Sequence, residues 1–106
     1  MLCTVTVRRL RPGTYEAFRE AVTPDPWPPI LKSVQVLRSE DDPDEVCTIG
    51  MLDVSAVELD GLRDSPDFMV PEMQRVERVA EFVEEVVVNT VFELVEEFGP
   101  PTAPAS

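Results

Sequence analysis

Glu84-Glu-Val-Val-Val-Asn-Thr-Val-Phe-Glu-Leu-Val-Glu-Glu-Phe98 is the stretch whose reading decides the fold. It is dense in β-branched residues, which suit a pleated strand better than a helix. In extended form one face carries Val86, Val88, Thr90, Phe92 and Leu94. The other carries Val87, Asn89, Val91, Glu93 and Val95. A strand with one solvated face alternates apolar and polar residues, and this one is largely apolar on both. A chain of 106 residues is short for covering both sides of a sheet by itself. The expectation is a second chain covering one side.

Working back from that strand, Ser65-Pro66 opens a helical segment in which Met69, Met73, Val76, Ala80 and Val83 recur at spacings of four and three. Glu72, Arg75, Glu77, Arg78 and Glu81 fall between them, so the pattern predicts an amphipathic helix with these charges outward. Pro66 suits a first helical position, and Pro71 is expected in or near the first turn. Before it, Ser55-Ala-Val-Glu58 has the form of a capping box and starts a short helix running to about Arg63. Leu31–Arg38 and Val46–Leu52 read as a hairpin joined by the acidic turn Glu40–Glu45. Thr23-Pro-Asp-Pro-Trp-Pro-Pro29 has four prolines in seven residues and can only be a stiff extended loop. Tyr15, Phe18 and Val22 mark helix one, with Thr14 or Gly13 as N-cap. Leu2–Arg8 alternates cleanly as strand one.

The order is therefore β-α-β-β-α-β. Its simplest solution is an α+β, ferredoxin-like domain over residues 1–98: a four-stranded antiparallel sheet with the helices on one face. The helices are expected over Cys3, Val5, Val7, Cys47, Ile49 and Met51. The other face then carries Thr4, Thr6, Gln35 or Ser33, Thr48, Gly50, Asn89 and Val91, a mixed surface suited to enclosing a small semi-polar space against a second sheet. Residues 99–106 read as a flexible Pro/Ala-rich tail.

Composition excludes several functions. The net charge of −12 disfavours a nucleic-acid surface. The absence of histidine removes the usual imidazole base, a His-ligated haem and most His-based metal sites. Cys3 and Cys47 form no paired motif and read as buried free thiols. Together with an N-terminus lacking a basic-then-apolar leader, they give the expectation of a cytoplasmic protein. No apolar stretch approaches a membrane span.

At this point the chain resembles the dimeric α+β barrel superfamily, and within it the antibiotic-biosynthesis-monooxygenase-like proteins. The resemblance spans about residues 1 to 98 and rests first on element order. Arg11-Pro-Gly13, Leu37-Arg-Ser-Glu-Asp-Asp-Pro43, Ser65-Pro-Asp-Phe68 and the valine-rich final strand support it. It implies a homodimeric barrel and an activity drawn from cofactor-independent oxygenation of polycyclic phenols, haem breakdown, isomerisation or decarboxylation. Such sequences often carry a histidine three residues before the Ser-Pro pair, where this chain has Leu62. With no histidine anywhere, the haem-degrading branch is excluded.

Asn89, interrupting a valine run, is the candidate catalytic residue: an amide donor that stabilises a substrate oxyanion. Its plainer role is pairing with polar neighbours or across a dimer interface. Trp27, Thr6, Thr48 and Arg38 are candidate ligand contacts. Trp27 would cap a cavity mouth or plug its own core. Arg8 and Arg38, ending strands one and two, would bind a carboxylate or pair with surface acids. Glu93 shares a face with Asn89 and, if enclosed, would be a base. Tyr15, Met69 and Met73 read as core, and Asp41, Asp42, Asp44 and Glu45 as a plain acidic turn lacking EF-hand spacing. The sequence thus supports a homodimer that binds a small aromatic molecule and acts as a cofactor-independent monooxygenase, with no metal or cofactor. A filled, non-enzymatic structural or regulatory dimer is the alternative, and a cavity with convergent polar groups separates the two.

Overall fold

A computed structural model describes residues 1–101; residues 102–106, part of the expected flexible tail, lie outside it. The elements are β1 (Leu2–Leu10), α1 (Tyr15–Val22), β2 (Leu31–Arg38), β3 (Glu45–Leu52), α2 (Ala56–Arg63), α3 (Pro66–Ala80) and β4 (Val83–Glu93). The strands form one antiparallel sheet in the order β2-β3-β1-β4. This is the expected β-α-β-β-α-β order, with the second α unit split into α2 and α3.

Local chemistry explains the element ends. Gly13 takes φ 75°, a left-handed turn that a side chain would resist, and so separates β1 from α1. Thr14 caps α1 only in position: its Oγ1 donates to the Arg11 carbonyl at 2.7 Å. At α2 the capping box is complete. Ser55 Oγ accepts from Glu58 N, and Glu58 Oε1 accepts from Ser55 N, both at 3.1 Å. Pro71 falls in the second turn of α3 rather than the first, where it removes one intrahelical donor. β4 ends at Glu93, short of the expected Phe98. Leu2, the first residue of β1, pairs with Glu93, and Leu94 N–H reaches Met1 O just beyond the ladder.

The sheet faces are the reverse of those expected. Register places Leu2, Thr4, Thr6 and Arg8 opposite Leu52, Gly50, Thr48 and Val46, and this is the face under the helices. At one end Leu2, Leu31 and Leu52 pack with Val54 and Leu59. At the other Leu10 and Val46 pack with Phe18, Val22 and Val79. These two clusters bury the large aliphatics that dominate folding energetics. The threonines between them meet a cavity, so their hydroxyls need not be packed in hydrocarbon. Cys3, Val5, Val7, Cys47, Ile49 and Met51 therefore lie on the face away from the helices, and both cysteines are half-buried rather than buried.

Strand β4 is left open. It is an edge strand, and Val86, Val87, Val88, Val91 and Phe92 are all exposed. A monomeric surface seldom leaves a continuous apolar strip of this kind uncovered. Helix α3 is turned relative to the predicted stripe: Met73 is exposed, while Phe68, Met69, Glu72, Arg75 and Val79 face inward. Two charges assigned to solvent thus roof the interior.

Candidate functional site

Between the sheet and the helices lies a cavity of about 380 Å³. Its floor is the even face of β1 and β3, with Thr4, Thr6, Thr48 and Gly50. Asn89 and Val91 of β4 form its open side, and Pro24 and Pro28 of the proline loop close one flank. Leu59 of α2 and Phe68, Met69 and Val76 of α3 supply an apolar roof. The space lies within one chain, not between two sheets as the sequence suggested.

Gly50 keeps the floor low. A Cβ there would stand 2.7 Å from Thr4 Oγ1 and 3.5 Å from Leu31 Cδ1, the first well inside contact distance. The two threonines of the Thr6–Thr48 pair face each other across the β1–β3 ladder. Thr6 Oγ1 donates to Asn89 Oδ1 at 3.5 Å, a long bond that orients the amide with its NH2 group available to the cavity. Asn89 is exposed, not buried as its valine surroundings implied, because β4 is an uncovered edge.

One end of the cavity is cationic. Arg8 Nη1 donates to Thr48 Oγ1 at 2.9 Å, and its guanidinium lies 5.6 Å from the Phe18 ring centroid. Burial pushes the Arg8 guanidinium below the ordinary arginine range, and the Arg75 charge pushes the same way against Glu72. Arg75 pairs with Glu72 one turn earlier on α3. It also donates from Nη1 to the Val22 carbonyl at 3.3 Å, at the negative end of the α1 dipole. Its Nε is buried and has no hydrogen-bond partner. Arg63 stands at the rim, paired with Asp60 at 3.4 Å.

The structure thus brings together three of the five proposed site residues: Asn89, Thr6 and Thr48. Trp27 does not line the cavity. It is half exposed, and its Nε1 donates to Leu31 O at 2.7 Å, so the ring braces the loop whose prolines do line it. Arg38 stacks on Tyr15, 4.6 Å from the ring centroid, away from the cavity. Glu93 is exposed opposite Leu2 and does not line it either. The acidic turn satisfies itself: Asp42 Oδ1 accepts from Asp44 N at 3.0 Å and Oδ2 from Arg9 Nη1 at 2.7 Å. Glu72 and Arg75 were missed. The sequence signal that locates them is the spacing Phe68, Glu72, Arg75, Val79, an apolar residue at each end of an opposed charge pair on one helical stripe.

No family model matches the sequence, and no curated protein matches it. Solved structures do. A candidate antibiotic biosynthesis monooxygenase from Chloroflexus aurantiacus superposes with TM-score 0.67 at 14% identity, covering 92% of this chain and 96% of that one. SnoaB, a cofactor-independent oxygenase from Streptomyces nogalater crystallised as a single-site variant, gives TM-score 0.67 at 12% identity, with 93% and 97% covered. Rv0793 from Mycobacterium tuberculosis gives 0.61 at 22% identity, with 92% and 98% covered. The chain has a ferredoxin-like α+β fold, the fold of these solved antibiotic biosynthesis monooxygenase-like structures. At these identities the likeness is one of fold. Among the described residues no helix is long and apolar enough to cross a membrane.

Proposed function

We propose that this chain works as a homodimer in which each protomer binds a small aromatic molecule between sheet and helices and oxygenates it without a cofactor. The observation that carries the reading is the cavity itself: apolar roof, polar floor, and the Asn89 amide presented at its open side. Such a space with a few convergent polar groups is the usual form of a small-molecule site. It favours this reading over a filled structural dimer. The fold shared with SnoaB supports the reaction class. The exposed strip along β4 supports the dimer, since a second copy brings an identical strip to cover it.

In this reading the substrate supplies all four electrons that reduce dioxygen. A phenol loses its O–H proton and the hydrogen of a ring C–H; dioxygen places one oxygen on that carbon as a carbonyl and leaves with the other as water. Phenol plus dioxygen thus gives quinone plus water, with carbon oxidised and dioxygen reduced. The Asn89 NH2 donates to the substrate oxygen as it acquires charge, and Thr6 holds the amide in place. Thr48 and Thr4 offer hydroxyls to further ring oxygens, while the roof keeps bulk water from the reduced oxygen species.

Oxygen uptake by the purified protein with hydroxynaphthalenes and anthrones, read on an oxygen electrode beside a binding titration, tests this. Uptake matched by quinone formation is the expected result. A protein that neither takes up oxygen nor binds any of these compounds would sink the proposal.

A further inference from the structure

The charge inside the cavity is opposite to the charge of the chain. The protein carries net −12, yet the cavity is lined by Arg8, Arg63 and Arg75 against one carboxylate, Glu72. Arg63 is balanced at the rim by Asp60. Arg8 and Arg75 at the inner end then share a single counter-charge, and Glu72 is engaged by Arg75 alone. Arg8 is held by a neutral hydroxyl and an aromatic face, Thr48 and Phe18, neither of which neutralises it. Withdrawing a cation from water without a paired anion is costly. With acids so abundant on the surface, sequence change could have supplied a second carboxylate here; instead the cavity holds an excess of positive charge.

Resting on the small-molecule reading above, we propose that the ligand is an organic anion: an apolar ring system seated under Phe68 and Met69, bearing a carboxylate or similar singly charged oxyanion that docks between Arg8 and Arg75. Guanidinium groups are suited to planar oxyanions, which accept two of their N–H donors together. The ligand carboxylate supplies the counter-charge Arg8 lacks. Glu72 competes with it for Arg75, acting as an internal stand-in that the ligand displaces.

The test is isothermal titration calorimetry of the purified full chain with 2-naphthoate and with neutral 2-naphthamide, which share a ring and differ in charge. The proposal expects 2-naphthoate to bind at least about tenfold more tightly, the scale of one charge-assisted contact. Arg75→Met and Arg8→Met should each remove most of that preference, read as the ratio of the two affinities in each variant. Glu72→Gln should strengthen 2-naphthoate binding several-fold, an effect a merely structural ion pair would not give. Arg9→Met, outside the cavity, should change neither. If Arg8→Met does not fold, Arg75→Met and Glu72→Gln decide the matter. Equal affinity for the two compounds, or a preference that survives Arg75→Met and is untouched by Glu72→Gln, overturns the anion assignment and leaves aromatic binding intact. Binding of neither compound counts against both.

Discussion

Thr4 and Gly50 stand directly opposite each other on β1 and β3, so close that a Cβ on Gly50 would meet Thr4 Oγ1 at 2.7 Å. The missing side chain is what leaves depth beneath the roof. Gly50→Ala should therefore cost about 1–3 kcal/mol through overpacking, measured by urea denaturation. Pairing it with Thr4→Ala should recover most of the loss, because the obstructing oxygen is gone. An unchanged cost in the double variant would show that the strain lies elsewhere.

Phe18 is fully buried and joins α1 to β1, β3 and α3 through Leu10, Val46 and Val79. Phe18→Ala should cost about 3–5 kcal/mol, close to the whole stability of a small domain. Loss of the cooperative thermal transition is the expected readout.

The capping box at α2 gives a smaller, local effect. Ser55→Ala should cost about 0.5–2 kcal/mol. Glu58→Ala should cost less, since it removes only the reciprocal bond to Ser55 N. The two together should fall short of their sum, as both act on one helix end.

The Asp44 backbone N–H, and next the Arg9 guanidinium, hold Asp42 below the ordinary carboxylate range. A depressed folded-state value means stability present above the unfolded value and lost as pH falls through the folded one. The unfolded value is close to 3.8, so the contribution is intact at neutral pH and fades below about pH 4. Asp42→Asn should lie below the parent at pH 7, and the gap should narrow as pH falls below 4. Denaturation midpoints from pH 7 to 2.5 check the sign. The pair is surface-exposed, so added salt should shrink the effect.

Asn89→Ala should lower turnover of an accepted substrate by about 10²–10³ with little change in its binding. Val88→Glu or Phe92→Glu, on the face away from the cavity, should break the proposed homodimer, read as monomer in sedimentation equilibrium. Retention of the dimer in both would exclude this face as the contact.

Element order, the capping box and the proline loop were legible because each depends on neighbouring residues alone. The sheet faces were not. Cys3, Val5 and Val7 look like the inward set of β1, since greasier residues usually pack inside. That rule fails where the inward side borders a cavity, and Thr4, Thr6 and Arg8 face inward for that reason. The same effect concealed Glu72 and Arg75, which any amphipathic reading of α3 assigns to solvent. Asn89, Thr6 and Thr48 were found together because strand alternation fixes which residues share a face, whichever way that face turns. Trp27 and Arg38 were chosen for residue type and position near strand ends, and such residues are as readily spent on a carbonyl or a neighbouring ring.

The open valine strip of β4 carries one more consequence. Glu84 and Glu85 precede it and Glu93, Glu96 and Glu97 follow it. A flat apolar edge invites indefinite stacking of copy upon copy, and charges bracketing such a segment act as gatekeepers against it. One matched contact can bury the valines while the glutamates remain at its margins in water; a growing fibril would pile like charges into register. The restraint is electrostatic, so added salt should weaken it, and thioflavin-positive aggregation seeded by β4 should rise with ionic strength.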